Sequence, residues 1–400
     1  MCGCRVGGFR FCQITHEQNN ANKMGSWMAN IISVFLISVI VTGVLIPQIL
    51  LIAFRKQLFD VPDERKIHHG VVPRLGGFAF VPAIFLSIAF VAGLNDMFYH
   101  GALFNALGEA ALPVCFGLCS LLIMYLVGMA DDLVGVRYRA KFYAQILSGI
   151  LIVLSGLMVD NLHGFFFIES IPVPLAMVLT VFAMVLIVNA VNLIDGIDGL
   201  ASGLCGIALL FYGVVFYLVG DMVDSLIAFA ALGTLVPFFY YNVFGDAKMG
   251  KKIFMGDTGA LTTGTVLGIL MVKMCMIERL DIVDMNPIVL AYSPLIVPCF
   301  DVVRVYLHRV RAGRNPFLPD KSHIHHKLLA LGMKQRVAMP TILLISVVFV
   351  CLNIILSQYI NSTIVLLIDT VVWILFNMWL TRRIQARERR LNIPIENQYK

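Results

Sequence analysis

Carboxylate and imidazole side chains collect in short loops between long apolar segments of this chain. Asn192, Asp195 and Asp198 stand three residues apart in VNLIDGIDGL, directly after an apolar run. If this stretch is helical, the three side chains share one face, because residues three apart are neighbours on a helix. Such a face suits a cation or the donor groups of a substrate. An Asp-Gly turn in a solvated loop is the alternative, and for this motif alone it is favoured.

Two further acidic motifs lie where apolar segments end or begin. Asp131 and Asp132 follow an apolar segment in VGMADDLVGVRYRAK, and Asp257 precedes one in FMGDTG. Carboxylates at the C-terminal end of a helix are unfavourable without a cation, so the Asp pair indicates a function. Capping of a helix N-terminus explains Asp257 as well as metal binding does.

A histidine cluster follows a basic segment near residue 320. His323, His325 and His326 form an H-x-H-H pattern that has no i,i+4 pair and no cysteine nearby, which argues against zinc. With Lys321 and Lys327 beside them, the histidines suit an anion such as phosphate. A basic loop lying against anionic lipid is the alternative reading.

The coincidence of these motifs carries more weight than any one of them. Five carboxylates and three histidines fall in separate loops that must all meet one membrane face. Acidic clusters beside basic clusters are what a magnesium–diphosphate substrate requires. No GxxxxGK[ST] loop is present, which argues against an ATP-driven pump.

The elements that must position these loops are membrane helices. The chain has 400 residues, of which 59% are hydrophobic and only 14% charged. A span needs about 20 apolar residues, and such stretches recur along the chain, which predicts an all-α polytopic membrane protein. The eleven predicted spans are roughly residues 29–53, 76–93, 111–130, 142–159, 173–190, 200–219, 225–241, 259–276, 286–303, 339–357 and 363–380.

The basic residues predict an orientation for these spans. Of the 30 Lys and Arg residues, 25 fall in the alternate loops that begin after the first span and in the C-terminal tail. Cytoplasmic loops are enriched in Lys and Arg, so the N-terminus is predicted outside and the C-terminus inside. The polar motifs then face the cytoplasm.

Three regions follow from this layout. Residues 1–26 are a polar N-terminal extension that we expect to be dispensable, and residues 381–400 are a basic cytoplasmic tail. Residues 27–380 form a single transmembrane domain. Its predicted cytoplasmic loops, which carry the candidate site, are residues 54–75, 128–141, 190–199, 242–258 and 304–338.

In combination, the motifs resemble the polyprenyl-phosphate N-acetylhexosamine-1-phosphate transferase family. The resemblance covers roughly residues 27–335, and the PFLPDKSHIHH form is similar to the branch that uses UDP-GlcNAc-like donors. The motifs that carry it are, in order, DVPDERKIHHGVVPRLGG, GMADDLVGVRYRAK, NAVNLIDGIDGLASG, KIFMGDTGALTTG and RAGRNPFLPDKSHIHHKLL.

The resemblance implies a reaction and its partners. A polyprenyl phosphate, undecaprenyl phosphate in bacteria, attacks a UDP-N-acetylhexosamine, expected to be UDP-GlcNAc, and UMP leaves. The expected cofactor is Mg²⁺, for which Mn²⁺ can substitute. The expected place is the bacterial cytoplasmic membrane, with the site facing the cytoplasm, at the first membrane step of a cell-surface glycan. Membrane lipid is an expected partner, nucleic acid is not, and a homodimer is compatible with the resemblance.

The resemblance also assigns roles to individual residues. Asp257 matches the magnesium ligand, and Asp131 matches a base, or alternatively a nucleophile, that also contacts the metal. The remaining catalytic residues are Asp132, Asp198, His325 and His326. The substrate-binding residues are Lys66, Asn192, Asp195, Asn242, Arg304, Asp320 and His323.

A secondary transporter for an anionic or sugar-phosphate solute is the alternative function. Transporters place coupling residues near the bilayer midplane, often on broken helices in repeated halves. Here the carboxylates lie at span ends on one side, and the sequence shows no repeat. Asp369 is the exception, because it lies in the middle of a predicted span and belongs to no motif.

Overall fold

The structure is a computed structural model that describes residues 7–59, 71–99, 102–278, 285–313 and 322–391. Helices make up nearly all of it, which confirms the predicted all-α polytopic class. The helices are α1 Gly7–Lys56, α2 Phe80–Tyr99, α3 Ala102–Glu109, α4 Ala111–Val134, α5 Tyr138–Leu154, α6 Val173–Ile194, α7 Leu200–Val219, α8 Met222–Val243, α9 Gly256–Cys275, α10 Pro287–Tyr292, α11 Ile296–Arg311, α12 Ile324–Ala330, α13 Gln335–Leu356 and α14 Ser362–Leu391.

Ten helical segments in these ranges are long and apolar enough to cross a membrane. They correspond to ten of the eleven predicted spans. The remaining prediction, 142–159, corresponds to α5, which has 17 residues and packs between α4 and α6. A two-stranded hairpin, β1 Asn161–Phe165 and β2 Ile168–Ser170, joins α5 to α6 at the end of the bundle away from the polar loops.

Helix α9 lies at the centre of the bundle, with 16 of its 20 residues buried. Its neighbours approach so closely that side chains would not fit between the backbones. A Cβ added at Gly128 of α4 would lie 2.5 Å from the Thr258 Cα, and one at Gly77 would lie 2.0 Å from the Gly259 nitrogen. Small residues at such contacts are how membrane helices gain van der Waals packing. This packing brings the N-terminus of α9 against the C-terminal end of α4.

The predicted span 286–303 is interrupted. A 3₁₀ turn, Ser293–Leu295, separates α10 from α11. Pro294 and Pro298 lack the amide N–H that would continue an α-helical ladder through this region, which explains the interruption.

Asp369 belongs to a buried polar cluster beside this turn. The Asn353 amide of α13 donates to the Asp369 carboxylate of α14 at 3.0 Å and to the Ser293 hydroxyl at 3.0 Å. All three side chains are buried, and Asp369 is 3% exposed. The cluster therefore ties α13 and α14 to the interruption between α10 and α11, which gives the carboxylate that matched no sequence motif a structural role.

We expect Asp369→Leu to lower the free energy of unfolding by about 1 kcal/mol, because hydrogen bonds between membrane helices contribute roughly this much. Asp369→Asn keeps an acceptor for Asn353, so its free energy of unfolding should fall less. Thermal unfolding in detergent measures both, with Thr370→Val as the control on the neighbouring residue. Equal unfolding temperatures for the Leu variant and the wild type would contradict the role of this cluster.

Candidate active site

The candidate site is centred on the ammonium group of Lys141, at the start of α5. Lys141 Nζ lies 3.2 Å from Asp131 Oδ2 on α4 and 3.0 Å from Asp257 Oδ2 on α9. All three side chains are partly exposed, between 14% and 24%. The adjacent ends of α4 and α5 and the start of the distant α9 therefore place two carboxylates around one positive charge at a surface that a ligand can reach.

Asn192 completes this cluster from the last turn of α6. Its side-chain amide donates to Asp257 Oδ1, while Lys141 contacts the other carboxylate oxygen. Asp257 lies in the first turn of α9, where the positive end of the helix dipole stabilises a carboxylate. Asp131 is held by the Val136 backbone N–H, which donates to its Oδ1 at 2.7 Å.

Asp132 forms different contacts from Asp131, the residue before it. Its carboxylate accepts hydrogen bonds from the Asp257 and Thr258 backbone N–H groups, each at 2.8 Å, and from the Thr258 hydroxyl at 2.6 Å. These bonds satisfy amides that the first turn of a helix leaves unpaired. Asp132 of α4 therefore caps α9, and Asp257, for which the sequence left capping open, keeps its carboxylate for the site.

Gly256 makes this capping contact possible. Its φ is +70°, and a Cβ there would lie 2.1 Å from the Arg74 carbonyl oxygen and 2.5 Å from Asp132 Oδ2. Only glycine adopts this backbone conformation without strain and leaves room for both groups. The residue before Asp257 in FMGDTG is thus required by the geometry of the helix start.

The common helical face considered for Asn192, Asp195 and Asp198 is wrong. Helix α6 ends at Ile194, and Gly199 has a φ of +76° before α7 begins. Only Asn192 is helical. Asp198 instead pairs with Lys252, at 2.5 Å between Oδ2 and Nζ, while Asp195 is exposed at the turn. The chain therefore forms the turn that Asp-Gly favours and does not continue the helix.

Asn242 holds this turn in place. Its side-chain oxygen accepts from the Gly199 N–H at 2.6 Å, and its amide donates to the Ile253 carbonyl at 2.9 Å. The side chain is 4% exposed. Asn242, which was predicted to bind substrate, therefore braces the 195–199 turn against the segment that leads to α9.

The histidine segment is anchored by Asp301 of α11. Asp301 Oδ2 lies 2.8 Å from His323 Nδ1, and both of its oxygens accept from the Ile324 backbone N–H at 3.1 Å. Arg304 donates to Asp301 Oδ1 at 2.7 Å and to the Ser322 carbonyl at 2.6 Å. Asp301 and Arg304 together fix the start of α12.

His325 connects this segment to the 195–199 turn. Its ring lies against Gly196, where an added Cβ would be 2.0 Å from Nε2. Burial lowers the pKa of His325 to about 3, and the charges of His326 and His323 act in the same direction. Both ring nitrogens are buried without a hydrogen-bond partner in the described part of the chain. A neutral imidazole that can donate or accept a hydrogen bond is thus present beside the acidic turn.

The structure brings six of the thirteen predicted site residues into two groups. One contains Asp131, Asn192 and Asp257, and the other contains His323, His325 and His326. Lys66 and Asp320 lie outside the described residues.

Three positioning residues were missed by the sequence reasoning: Lys141, Lys252 and Asp301. The two lysines stand inside the quoted motifs but were read only as cytoplasmic charges, whereas Asp301 lies ten residues before the last of these motifs. A basic residue at a helix start next to an acidic pair was the signal available for Lys141.

The carboxylate cluster fits a divalent cation. Asp131 and Asp257 converge on a position that holds a positive charge, the Lys141 ammonium. Mg²⁺ is commonly bound by one or two protein carboxylates together with substrate phosphates. Within the described ranges, no group of three or more His, Cys, Asp and Glu side chains has a metal-binding arrangement. Any Mg²⁺ held by these two carboxylates would therefore share its remaining positions with a substrate or water.

The fold and this site define a polytopic membrane protein with an acidic, partly exposed site at one end of its helix bundle. Residues 114–275, which include most of α4 and all of α5 to α9, match the family described as Glycosyl transferase family 4. The probable undecaprenyl-phosphate N-acetylglucosaminyl 1-phosphate transferase of Bacillus subtilis is 30% identical over 324 residues, which cover 80% of this chain and 84% of that protein. The chain belongs to this family.

Two more relatives carry similar names. The undecaprenyl-phosphate alpha-N-acetylglucosaminyl 1-phosphate transferase of Yersinia pestis is 28% identical over 308 residues, covering 76% of this chain and 78% of the relative. Its counterpart in Escherichia coli K12 is 27% identical over 312 residues, covering 77% and 78%. The similarity thus extends well beyond the residues matched by the family.

We expect Asp132→Ala to lower the free energy of unfolding by about 1–3 kcal/mol, because the Asp257 and Thr258 amides lose their acceptor. Asp132→Asn keeps one acceptor oxygen, so its free energy of unfolding should fall less. Thermal and denaturant unfolding in detergent measure both variants, and Asp246→Ala, which removes an exposed carboxylate, is the control. Wild-type stability of Asp132→Ala would show that α9 does not need this cap.

We expect His325 to make stability depend on pH. Its pKa of about 3 in the folded state lies below the ordinary value of about 6.5, so between these pH values only the unfolded chain binds the proton. The contribution of neutral His325 to the free energy of unfolding is complete above pH 6.5 and falls by up to about 1.4 kcal/mol per pH unit below that value. His325→Gln should therefore lose less stability than the wild type between pH 7 and 5.5.

Unfolding temperatures at several pH values measure this difference. His308→Gln, which changes an exposed imidazole on α11, is the matched control. Identical pH slopes for the wild type and His325→Gln would show that His325 is not buried in the neutral form.

Proposed function

We propose that this protein transfers N-acetylglucosamine 1-phosphate from UDP-N-acetylglucosamine to undecaprenyl phosphate and releases UMP. The observation that carries the proposal is the convergence of Asp131 and Asp257 on the Lys141 ammonium at one end of the bundle, with the Asn192 amide donating to Asp257. The names of the relatives supply undecaprenyl phosphate and the N-acetylglucosaminyl 1-phosphate group, and the resemblance of the motifs implies the UDP-linked donor. Such an activity starts the assembly of a cell-surface glycan on a lipid carrier.

The reaction exchanges one phosphorus–oxygen bond for another. An oxygen of the lipid phosphate forms a bond to the β-phosphorus of the donor, and the bond from that phosphorus to the bridging oxygen breaks. UMP leaves with the bonding electron pair, and the sugar stays on the β-phosphate of the new lipid diphosphate. Both reactants are anions, so positive charge and hydrogen-bond donors must offset their repulsion.

Mg²⁺ is the proposed cofactor, and Asp257 and Asp131 are the residues that would hold it. When bound, the ion supplies positive charge that neutralises phosphate oxygens. Lys141 neutralises the two carboxylates and can turn towards a phosphate once the carboxylates have another cationic partner. Asn192 keeps the Asp257 carboxylate oriented through its amide. Asp131 can accept the proton of a monoanionic lipid phosphate.

His325 and His326 are proposed to act on the donor diphosphate. Neither ring nitrogen of His325 has a hydrogen-bond partner among the residues that the structure describes, and the ring lies against Gly196, in the turn that carries Asp195 and Asp198. Its ring centroid is 4.2 Å from that of the partly exposed His326. Imidazole N–H groups at this position can donate to phosphoryl oxygens that gain charge as UMP departs.

The proposed location is the bacterial cytoplasmic membrane, with the site at the cytoplasmic face. The loops that form the site are those that the distribution of Lys and Arg assigns to the cytoplasm. A nucleotide sugar is a cytoplasmic metabolite, and a polyprenyl phosphate is confined to the bilayer. A site at helix ends on this face can receive both.

We expect purified protein to release UMP only when undecaprenyl phosphate, a divalent cation and UDP-N-acetylglucosamine are all present. Asp257→Asn should lower turnover at least about tenfold, which corresponds to roughly 1.4 kcal/mol, because an amide cannot supply the charge of a ligand carboxylate. Asp246→Asn, an exposed carboxylate in the loop before α9, is the matched control and should keep wild-type turnover.

A panel of UDP-N-acetylhexosamines tests the donor, and EDTA followed by added Mg²⁺ or Mn²⁺ tests the cofactor. Full turnover in EDTA would rule out the metal requirement. No UMP from any donor, with a folded protein and lipid phosphate present, would overturn the proposed function.

A further inference from the structure

A cavity lies outside the candidate active site, between α11, α12 and α14. Its volume is about 620 Å³, and we call it the α11–α14 groove. Apolar side chains line most of it, among them Leu307, Ile374 and Met378, which are each about half exposed. Half-exposed apolar residues on membrane helices face lipid chains, so the groove suits an acyl chain.

One end of the groove is strongly basic. Arg304, His308 and Arg311 line it from the C-terminal half of α11, Lys327 from α12 and Arg382 from α14. The negative end of the α11 dipole offsets only part of this charge. Clusters of basic side chains directly beyond a membrane helix attract anionic lipid headgroups. An apolar groove with a basic end therefore matches an amphiphile that carries a negative charge at its head.

A buried donor without an acceptor lies deeper in the groove. Trp373 lines the groove and is 3% exposed, and its indole N–H has no hydrogen-bond partner among the described residues. Asn377, one helical turn towards the basic end, accepts a hydrogen bond from Lys327 Nζ at 3.1 Å. One helical turn is about 5.4 Å long. A ligand whose anionic group lies at Lys327 can thus place an acceptor near Trp373.

The groove is distinct from the carboxylate cluster. Asp131, Lys141, Asn192 and Asp257 are absent from its lining. Arg304 connects the groove to the histidine segment. It lines the groove and donates a hydrogen bond to Asp301, which anchors that segment.

We propose that the α11–α14 groove binds a membrane glycerophospholipid with an anionic headgroup, such as phosphatidylglycerol. The headgroup phosphate lies among Lys327, Arg311 and Arg382, one acyl chain follows Leu307 and Ile374, and an ester carbonyl accepts the Trp373 N–H. This ester contact selects against a polyprenyl phosphate, whose chain contains no hydrogen-bond acceptor. The proposal does not depend on the transferase activity.

Native mass spectrometry of the purified full chain, titrated with phosphatidylglycerol or phosphatidylcholine, tests the headgroup. We expect phosphatidylglycerol to bind more tightly than phosphatidylcholine. The double variant Arg311→Gln/Arg382→Gln should bind it about tenfold more weakly. Arg383→Gln/Arg389→Gln removes the same charge from α14 residues that do not line the groove, and it should bind like the wild type.

An ether-linked phosphatidylglycerol, which lacks the ester carbonyls, tests the Trp373 contact. The wild-type protein should bind the ether lipid about fivefold more weakly than the ester lipid, as expected for one lost hydrogen bond. Trp373→Phe should weaken binding of the ester lipid by a similar factor and leave binding of the ether lipid unchanged.

Three results would overturn the proposal. The first is equal binding of phosphatidylglycerol and phosphatidylcholine by the wild type. The second is an equal effect of the two double arginine variants, with unchanged unfolding temperatures as the folding check. The third is displacement of bound phosphatidylglycerol by equimolar undecaprenyl phosphate, which would assign the groove to that lipid.

Discussion

The contact of one lysine with two carboxylates is the interaction on which the rest of this structure depends. Near a membrane, charges that have lost water are costly unless they are paired, and Lys141 pairs with Asp131 and Asp257 at once. Each partner comes from a different helix. The three helix ends must therefore lie at one level, and Gly128 permits the close approach of α4 to α9. The positions of the loops and the chemistry of the site follow from this requirement.

Around this centre, the structure separates side chains that could react from side chains that hold them. Asp132, Asn242 and Asp301 accept hydrogen bonds from backbone amides at the starts of α9, α7 and α12. Their polar atoms are used within the protein. Asp131, Asp257 and His326 keep partial exposure and can face a substrate. Sequence motifs contain both kinds of residue, because the holding residues are as necessary to the site as the reacting ones.

The sequence predicted the membrane helices well, because a long apolar run has few other structures available in a lipid bilayer. The sequence also predicted that the acidic loops lie together at one face of the membrane domain. The interruption near Pro294 was missed, because apolar composition hides a change from α to 3₁₀ geometry. The 195–199 turn is the reading that the sequence favoured for this motif alone, and the left-handed conformation of Gly199 is incompatible with the continued helix that was also considered. Lys141 and Asp301 were undervalued because one partner of each, Asp257 and His323 respectively, is distant in sequence, and such pairing requires the fold.

The adjacency of Asp131 and Asp132 has a consequence for how the bundle is assembled. Successive side chains on a helix point about 100° apart, so one carboxylate faces the Lys141 cluster while the next is turned towards the backbone of α9. A rotation of α4 by a single residue would exchange these directions and would replace Gly128 with a larger side chain at the contact with α9. An apolar surface that faces lipid leaves the rotational setting of a helix loosely defined. The paired aspartates and Gly128 together define it for α4.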